Sequence, residues 1–301
     1  MSKVRMVIND PSGEFWRAHG NPDKDIFFNP ILLGTVNWSI FKDLQYDYNP
    51  ALFANALLPK REAKGGNGDF FDSAAREVFS GVLLRLAQAG AVNTSEIPRA
   101  FLGLNEEEMD KMTRGLTANM TLSPDAKQMR AGVLASIAVH LNGLAMVGAG
   151  QWSCSDWIDG DGDLYLIGNE SALDGLKRLF LTSLIEMIEA RRETVPDIKY
   201  LFLLDEYPLL GDIDVDRHLA VKRKYGVGFV LGMQSEAQAE TILGKPRAQT
   251  LMNVIGTMLV LNQNTESAQR SAEARFGKQL QLVVGESHQL AVSDSKDSIS
   301  V

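Results

Sequence analysis

Tyr200-Leu201-Phe202-Leu203-Leu204-Asp205-Glu206 is an unbroken apolar run that delivers two adjacent carboxylates. Such a run suits a strand covered on both faces, as in a parallel sheet whose connections are helices. Downstream, Gly228–Met233 and Thr257–Leu261 read as two more strands. Each leads into a helix: Ser235 with Gln238 opens one, Thr265 opens the other, and Gly244 and Gly277 are their stops. Upstream, Leu164–Ile167 is a strand, followed by a long amphipathic helix that Ser171 and Asp174 open and that carries Leu176, Leu179, Phe180, Ile185 and Ile188. Residues 4–10, Val-Arg-Met-Val-Ile-Asn-Asp, form a buried strand that stops at the turn Asp10-Pro11-Ser12-Gly13. Strand alternating with helix predicts an α/β fold with a mostly parallel sheet flanked by helices.

That alternation is interrupted. Residues 21–59 are broken by Asn21-Pro22, Asn29-Pro30, Asn49-Pro50 and Pro59, which predicts irregular structure. Lys64-Gly65-Gly66-Asn67-Gly68 reads as a boundary, and the stretch after it is helical. One helix runs from Asp72 to Gln88 and stops near Gly90; a second follows Asn105, with Glu108 three residues on; a third follows Ser123, with Pro124 at its first position. The expected organisation is therefore residues 1–67 and 151–301 as two parts of one α/β domain, with 68–150 as an inserted all-α domain and a polar tail from Val284.

The composition, 45% hydrophobic and 23% charged over 301 residues, excludes disordered, collagenous and coiled-coil classes. A net charge of −8 argues against a protein that coats nucleic acid by bulk positive charge. No apolar run reaches bilayer length, and the single Cys154 cannot form an internal disulfide, so a soluble, cytosolic chain is expected.

The strand ends carry the chemistry, because open α/β sheets bind ligands there. Asp205 is a hard carboxylate of the kind a Mg²⁺ ion on nucleotide phosphates requires, and Glu206 is placed to polarise an attacking water. The same pair also fits carboxylates that merely leave a buried strand and cap the next loop. Gln234, at the tip of the next strand, is a neutral amide able to sense a γ-phosphate or orient a water; it also fits a solvated residue ahead of the Ser235 cap. Arg223, in Lys222-Arg223-Lys224, belongs either to a solvated charged face or to a neighbouring subunit's site. No Gly-x-x-x-x-Gly-Lys-Ser/Thr phosphate loop occurs: Gly244-Lys245 is followed by Pro246 and Gly277-Lys278 by Gln279. Asp159, Asp161, Asp163 and Glu170 have calcium-loop spacing but place Leu164 where glycine is needed, and four scattered histidines offer no zinc pattern. Met109, Met112, Met120 and Met129 read as core packing.

In order along the chain, Asp10-Pro11-Ser12-Gly13-Glu14-Phe15, Phe28-Asn29-Pro30, Leu204-Asp205-Glu206, Arg223-Lys224-Tyr225-Gly226-Val227-Gly228 and Gly232-Met233-Gln234-Ser235 resemble the type IV coupling proteins of the TraD/TraG kind. The resemblance covers about residues 6 to 279. It implies a RecA-like P-loop-NTPase fold with an inserted all-α domain, in a membrane-anchored hexameric ATPase that uses ATP and Mg²⁺. It further implies that Asp205 and Glu206 correspond to the Walker B pair, Gln234 to the sensor, Arg223 to the trans-acting arginine, and Asp10 and Glu14 to a segment of the nucleotide site. The partners it implies are relaxase or relaxosome, single-stranded DNA and the proteins of a secretion channel at the cytoplasmic side of the inner membrane. The family's Walker A loop and transmembrane helices precede the matched segment, so the chain is expected to be a fragment or a product begun at an internal methionine. The competing expectation is a non-catalytic adaptor that retains the fold to bind other proteins.

Overall fold

The computed structural model describes residues 3–44, 50–58, 68–116, 127–191, 198–222 and 226–261, with residues 119, 122, 273 and 277. Five strands, β1 (Lys3–Asp10), β2 (Ile26–Phe28), β3 (Leu164–Ile167), β4 (Ile198–Leu204) and β5 (Val227–Leu231), form one sheet in the order β2-β3-β1-β4-β5. Every ladder is parallel. β1 is central, with Asn9 opposite both Leu166 of β3 and Leu204 of β4, and Leu204 is in turn opposite Leu231 of β5. The strand ends are thereby aligned along one rim.

Helices α1 (Glu14–His19), α2 (Ile40–Leu44) and α3 (Pro50–Leu57) precede the helical stretch. That stretch holds α4 (Gly68–Gln88), α5 (Glu96–Gly103), α6 (Glu106–Thr113), α7 (Lys127–Ala138) and α8 (Asn142–Met146). Asn105 and Glu108 close the box their spacing predicts: Asn105 Oδ1 accepts the Glu108 N–H at 3.0 Å and Glu108 Oε2 accepts that of Asn105 at 2.9 Å. Ser123 and Pro124 lie outside the described residues. Where the chain leaves for the helices and where it returns, it is stitched together. Trp38 bridges Trp152, the Ser39 N–H donates to Trp152 O at 2.7 Å, and buried Asp43 accepts from Trp38 Nε1 at 2.6 Å and from the Cys154 N–H at 3.2 Å. Helix α9 (Cys154–Asp159) starts there, capped by Ser153 and Asp156.

Helix α10 (Asp174–Ala190) buries Leu176, Leu179, Phe180, Leu184 and Ile185. Phe180 packs against Phe28 and Trp38, each at 5.0 Å between ring centres. Buried Arg178 of α10 donates to the carbonyls of Ala56 and Leu57, and Arg76 of α4 to that of Leu58, so the unpaired carbonyls ending α3 are satisfied by cations. Helices α11 (Val215–Lys222), α12 (Glu236–Leu243) and α13 (Lys245–Val254) follow.

Two local expectations are corrected, and a third, Gly244 as a helix stop, holds with an addition. Residues 21–59 are not irregular throughout, since β2, α2 and α3 form within them. Gly244 ends α12 but also begins α13, because Pro246 is acceptable in a first helical turn. Thr257–Leu261 is not a strand: it pairs with none of the described strands, and an isolated strand has no ladder to hold it. The chain divides into two compact units, 1–257 and 258–301, and in the second Leu259 and Leu261 are exposed. Thr265 lies outside the described residues. Among the described residues no helix is long and apolar enough to cross a membrane.

Candidate functional site

Asp10 ends β1, Asp205 and Glu206 follow β4, and Gly232-Met233-Gln234 follows β5, so the rim of the sheet assembles three of the segments singled out from sequence. The β4 and β5 segments are joined beyond the ladder. The Gly232 N–H donates to Leu204 O at 2.9 Å, and Gly232 O accepts the Tyr207 N–H at 2.9 Å. Between those bonds the chain makes a sharp turn in which Glu206 takes the left-handed conformation, φ 48° and ψ 45°. That backbone is disfavoured for a residue with a Cβ. It turns the chain into the short helix Tyr207–Leu210, whose Tyr207 ring is buried, and leaves Glu206 exposed. Half-buried Asp205 lies against Gly232, where an added Cβ would stand 2.8 Å from Asp205 Oδ1. Glycine is required there to leave room for the carboxylate.

Gln234 is exposed at the head of α12, its backbone N–H donating to Gln238 Oε1 at 3.0 Å. Gln238 thus reaches one residue further back than the box predicted with Ser235, whose side chain makes no cap bond. Asp10 is fully buried: Oδ2 accepts the Trp16 N–H at 2.9 Å, capping the first turn of α1, while Oδ1 has no hydrogen-bond partner. Glu14 is exposed in that first turn, where a carboxylate complements the helix dipole. Arg223 lies outside the described residues.

Two buried polar residues near the rim were not singled out from the sequence. Lys177 of α10 is buried and donates to the carbonyl of Gly168, just past β3. Burial pushes its ammonium down to about 8, against the pull of Asp174, Glu170 and Asp10. Its place in an amphipathic helix resembled that of any solvated lysine. Asn9 is also buried, and its Nδ2 donates to Asp205 O at 2.7 Å. The only signal was a neutral polar residue directly after the apolar Met6-Val7-Ile8.

Among the described residues no three His, Cys, Asp or Glu side chains cluster as a metal cage. A Mg²⁺ ion bound through one carboxylate, water and phosphate oxygens needs none, and the space Gly232 leaves around Asp205 fits that habit. Two carboxylates of the rejected calcium loop are engaged elsewhere: Asp159 pairs with Arg191 at 2.6 Å, and Asp163 Oδ1 accepts the Met6 N–H at 2.8 Å.

The family model of the type IV secretion-system coupling protein DNA-binding domain matches residues 1–301. The chain belongs to that family. Among curated proteins, coupling protein TraD of Escherichia coli K12 is 23% identical over 317 residues, covering 98% of this chain and 43% of TraD. Among solved structures, the bacterial conjugative coupling protein TrwB in its unbound form matches with a TM-score of 0.74 at 24% identity, over 83% of this chain and 61% of that one. TrwB in complex with ADP and Mg²⁺ matches equally well. VirB4 of Thermoanaerobacter pseudethanolicus matches with a TM-score of 0.53 at 14% identity, over 92% of this chain and 74% of that one. The chain therefore spans about half the length of the coupling proteins it matches. The sheet and the TrwB likeness give this coupling-protein chain a RecA-like α/β fold.

Proposed function

We propose that this chain is the ATPase region of a conjugative coupling protein, acting at the cytoplasmic side of the inner membrane within a longer, membrane-anchored hexamer. The observation that carries this reading is the rim itself, where Gly232 binds the backbone on both sides of Asp205 and Glu206 and so holds the carboxylate pair and the Gln234 loop as one unit. In this reading ATP with Mg²⁺ supplies the phosphoryl group and the charge neutralisation its transfer requires. Asp205 would hold the metal, and exposed Glu206 is placed to accept a proton from the attacking water. Gln234 orients that water from the neighbouring strand end without adding negative charge. Arg223 reaches a neighbouring subunit's site, and Asp10 and Glu14 shape the adjoining wall of the nucleotide site, Asp10 through its cap on α1.

The domain boundaries proposed are 1–67 and 151–301 for the nucleotide-binding domain and 68–150 for the inserted all-α domain. The meeting of residues 37–43 with 149–156 supports a helical excursion that leaves the α/β domain and re-enters it side by side, with its departure near residue 43 and not at 67. That domain is assigned to contact with the relaxosome or other cargo. Hydrolysis would then drive single-stranded DNA toward the proteins of the secretion channel. Negative net charge is compatible with this, because a pore surface is set by local loops rather than by the sum.

Glu206→Gln in the full-length protein tests the assignment. It is expected to bind ATP with near-normal affinity and to lose turnover by at least about 100-fold, the contribution typical of a positioned general base. Retained turnover would overturn it. A second reading is a non-catalytic adaptor that retains the fold to bind other proteins. Cargo binding unaffected by ATP, with no nucleotide-dependent assembly, would support the adaptor.

A further inference from the structure

Leu204 turns its carbonyl toward β5, where the Gly232 N–H meets it, and Tyr200 turns its N–H the same way, to Gly226 O. Successive residues of a strand direct their backbone groups to alternate neighbours, so the carbonyls of Leu201, Leu203 and Asp205 face β1. With Val7 opposite Phe202 and Asn9 opposite Leu204, parallel pairing assigns the Val7 N–H to Leu201 O and the Asn9 N–H to Leu203 O. The next donor in that series, the one due to Asp205 O, belongs to residue 11. Residue 11 is Pro11, which has no N–H. The missing bond is made by a side chain instead: Asn9 Nδ2 donates to Asp205 O at 2.7 Å from a buried position on the same strand.

We propose that Asn9 is a positioning residue for the Asp205–Glu206 turn, its amide replacing the ladder bond that Pro11 cannot give. The carbonyl it holds belongs to the peptide through which the chain passes from Asp205 into the left-handed Glu206. Fixing that peptide plane fixes the direction in which both carboxylates leave the strand. The catalytic meaning of the clamp rests on the ATPase reading above; the clamp itself does not.

Asn9→Asp and Asn9→Leu separate a donor from mere packing. Both are close to isosteric with asparagine. An ionised aspartate has nothing to donate and opposes the Asp205 carbonyl oxygen, whereas a protonated one donates its O–H. Leucine donates at no pH. Amide hydrogen exchange at Gly232 and Tyr207 is measured in the 301-residue chain from about pH 5.5 to 9, as a ratio to the unsubstituted protein at each pH. Both variants are expected to exchange about three- to tenfold faster at the alkaline end, the range set by losing one hydrogen bond. Asn9→Asp is expected to return toward a ratio of one on acidification, and Asn9→Leu to stay high throughout. In the full-length protein kcat should follow the same pH pattern with KM for ATP little changed. Unaltered exchange in Asn9→Leu would overturn the proposal. A full-length protein that does not hydrolyse ATP would remove the catalytic assignment while the exchange measurement, which needs no nucleotide, still decides the clamp.

Discussion

Gly232→Ala probes the rim most directly. A Cβ at that position would stand 2.8 Å from Asp205 Oδ1, and 3.4 Å from both Asp205 Cα and the Glu206 nitrogen. The two backbone contacts are tight but tolerable, so the carboxylate oxygen must retreat, by about 0.6 Å to reach ordinary carbon–oxygen contact. Gly232 does not have positive φ, so alanine adds no backbone strain. Turning Asp205 away from its rotamer costs about 0.5–1.5 kcal/mol. Thermal unfolding should therefore shift by only a few degrees, at roughly 2–4 °C per kcal/mol for a chain of this size. Turnover is expected to suffer far more, since displacing a catalytic group by about 1 Å can cost on the order of 100-fold. A loss of about 10- to 100-fold in kcat of the full-length protein, beside a nearly intact melting curve of the chain, is the expected pair of results. Turnover within about twofold of the parent would refute the idea that Asp205 needs the space glycine leaves.

Two other outcomes follow from backbone strain and from burial. Glu206→Gly should stabilise the chain by about 1 kcal/mol, by relieving a left-handed residue, while abolishing turnover; chemical denaturation and an ATPase assay on the same variant would show whether strain is held at the turn. Asp43, fully buried, is pushed by desolvation up to about 6 from an ordinary 3.8. The folded state thus holds that proton more tightly than the unfolded state, so the contribution to stability is complete below about 3.8 and lost as pH rises through about 6. The parent is expected to gain about 2 kcal/mol relative to Asp43→Asn between about pH 7 and pH 4, measured by denaturant titration; a flat difference would refute the assignment.

Local pattern made much of this legible. The apolar run into Asp205 is β4, the Asn105–Glu108 spacing is a closed capping box, and the amphipathic face after Asp174 is the buried face of α10. These features depend on residues within a few positions of one another. β2 was missed because three residues, Ile26–Phe28, are too few to show a period; only their ladder to β3 makes them a strand. Thr257–Leu261 has the composition of a strand and forms none, because composition cannot supply a neighbour.

The same division runs through the site. Asp205, Glu206 and Gln234 could be placed at strand tips from sequence, since a carboxylate or amide after an apolar run is a one-dimensional signal. That Asp10 is spent capping α1, that Gly232 must lack a side chain, and that Asn9 stands in for the N–H absent from Pro11 all required tertiary structure. The last two depend on which strands are neighbours and in what register. A shift of one residue in the β1–β4 pairing would leave the composition unchanged and remove the Asn9–Asp205 contact, because side chains and backbone donors alternate along a strand.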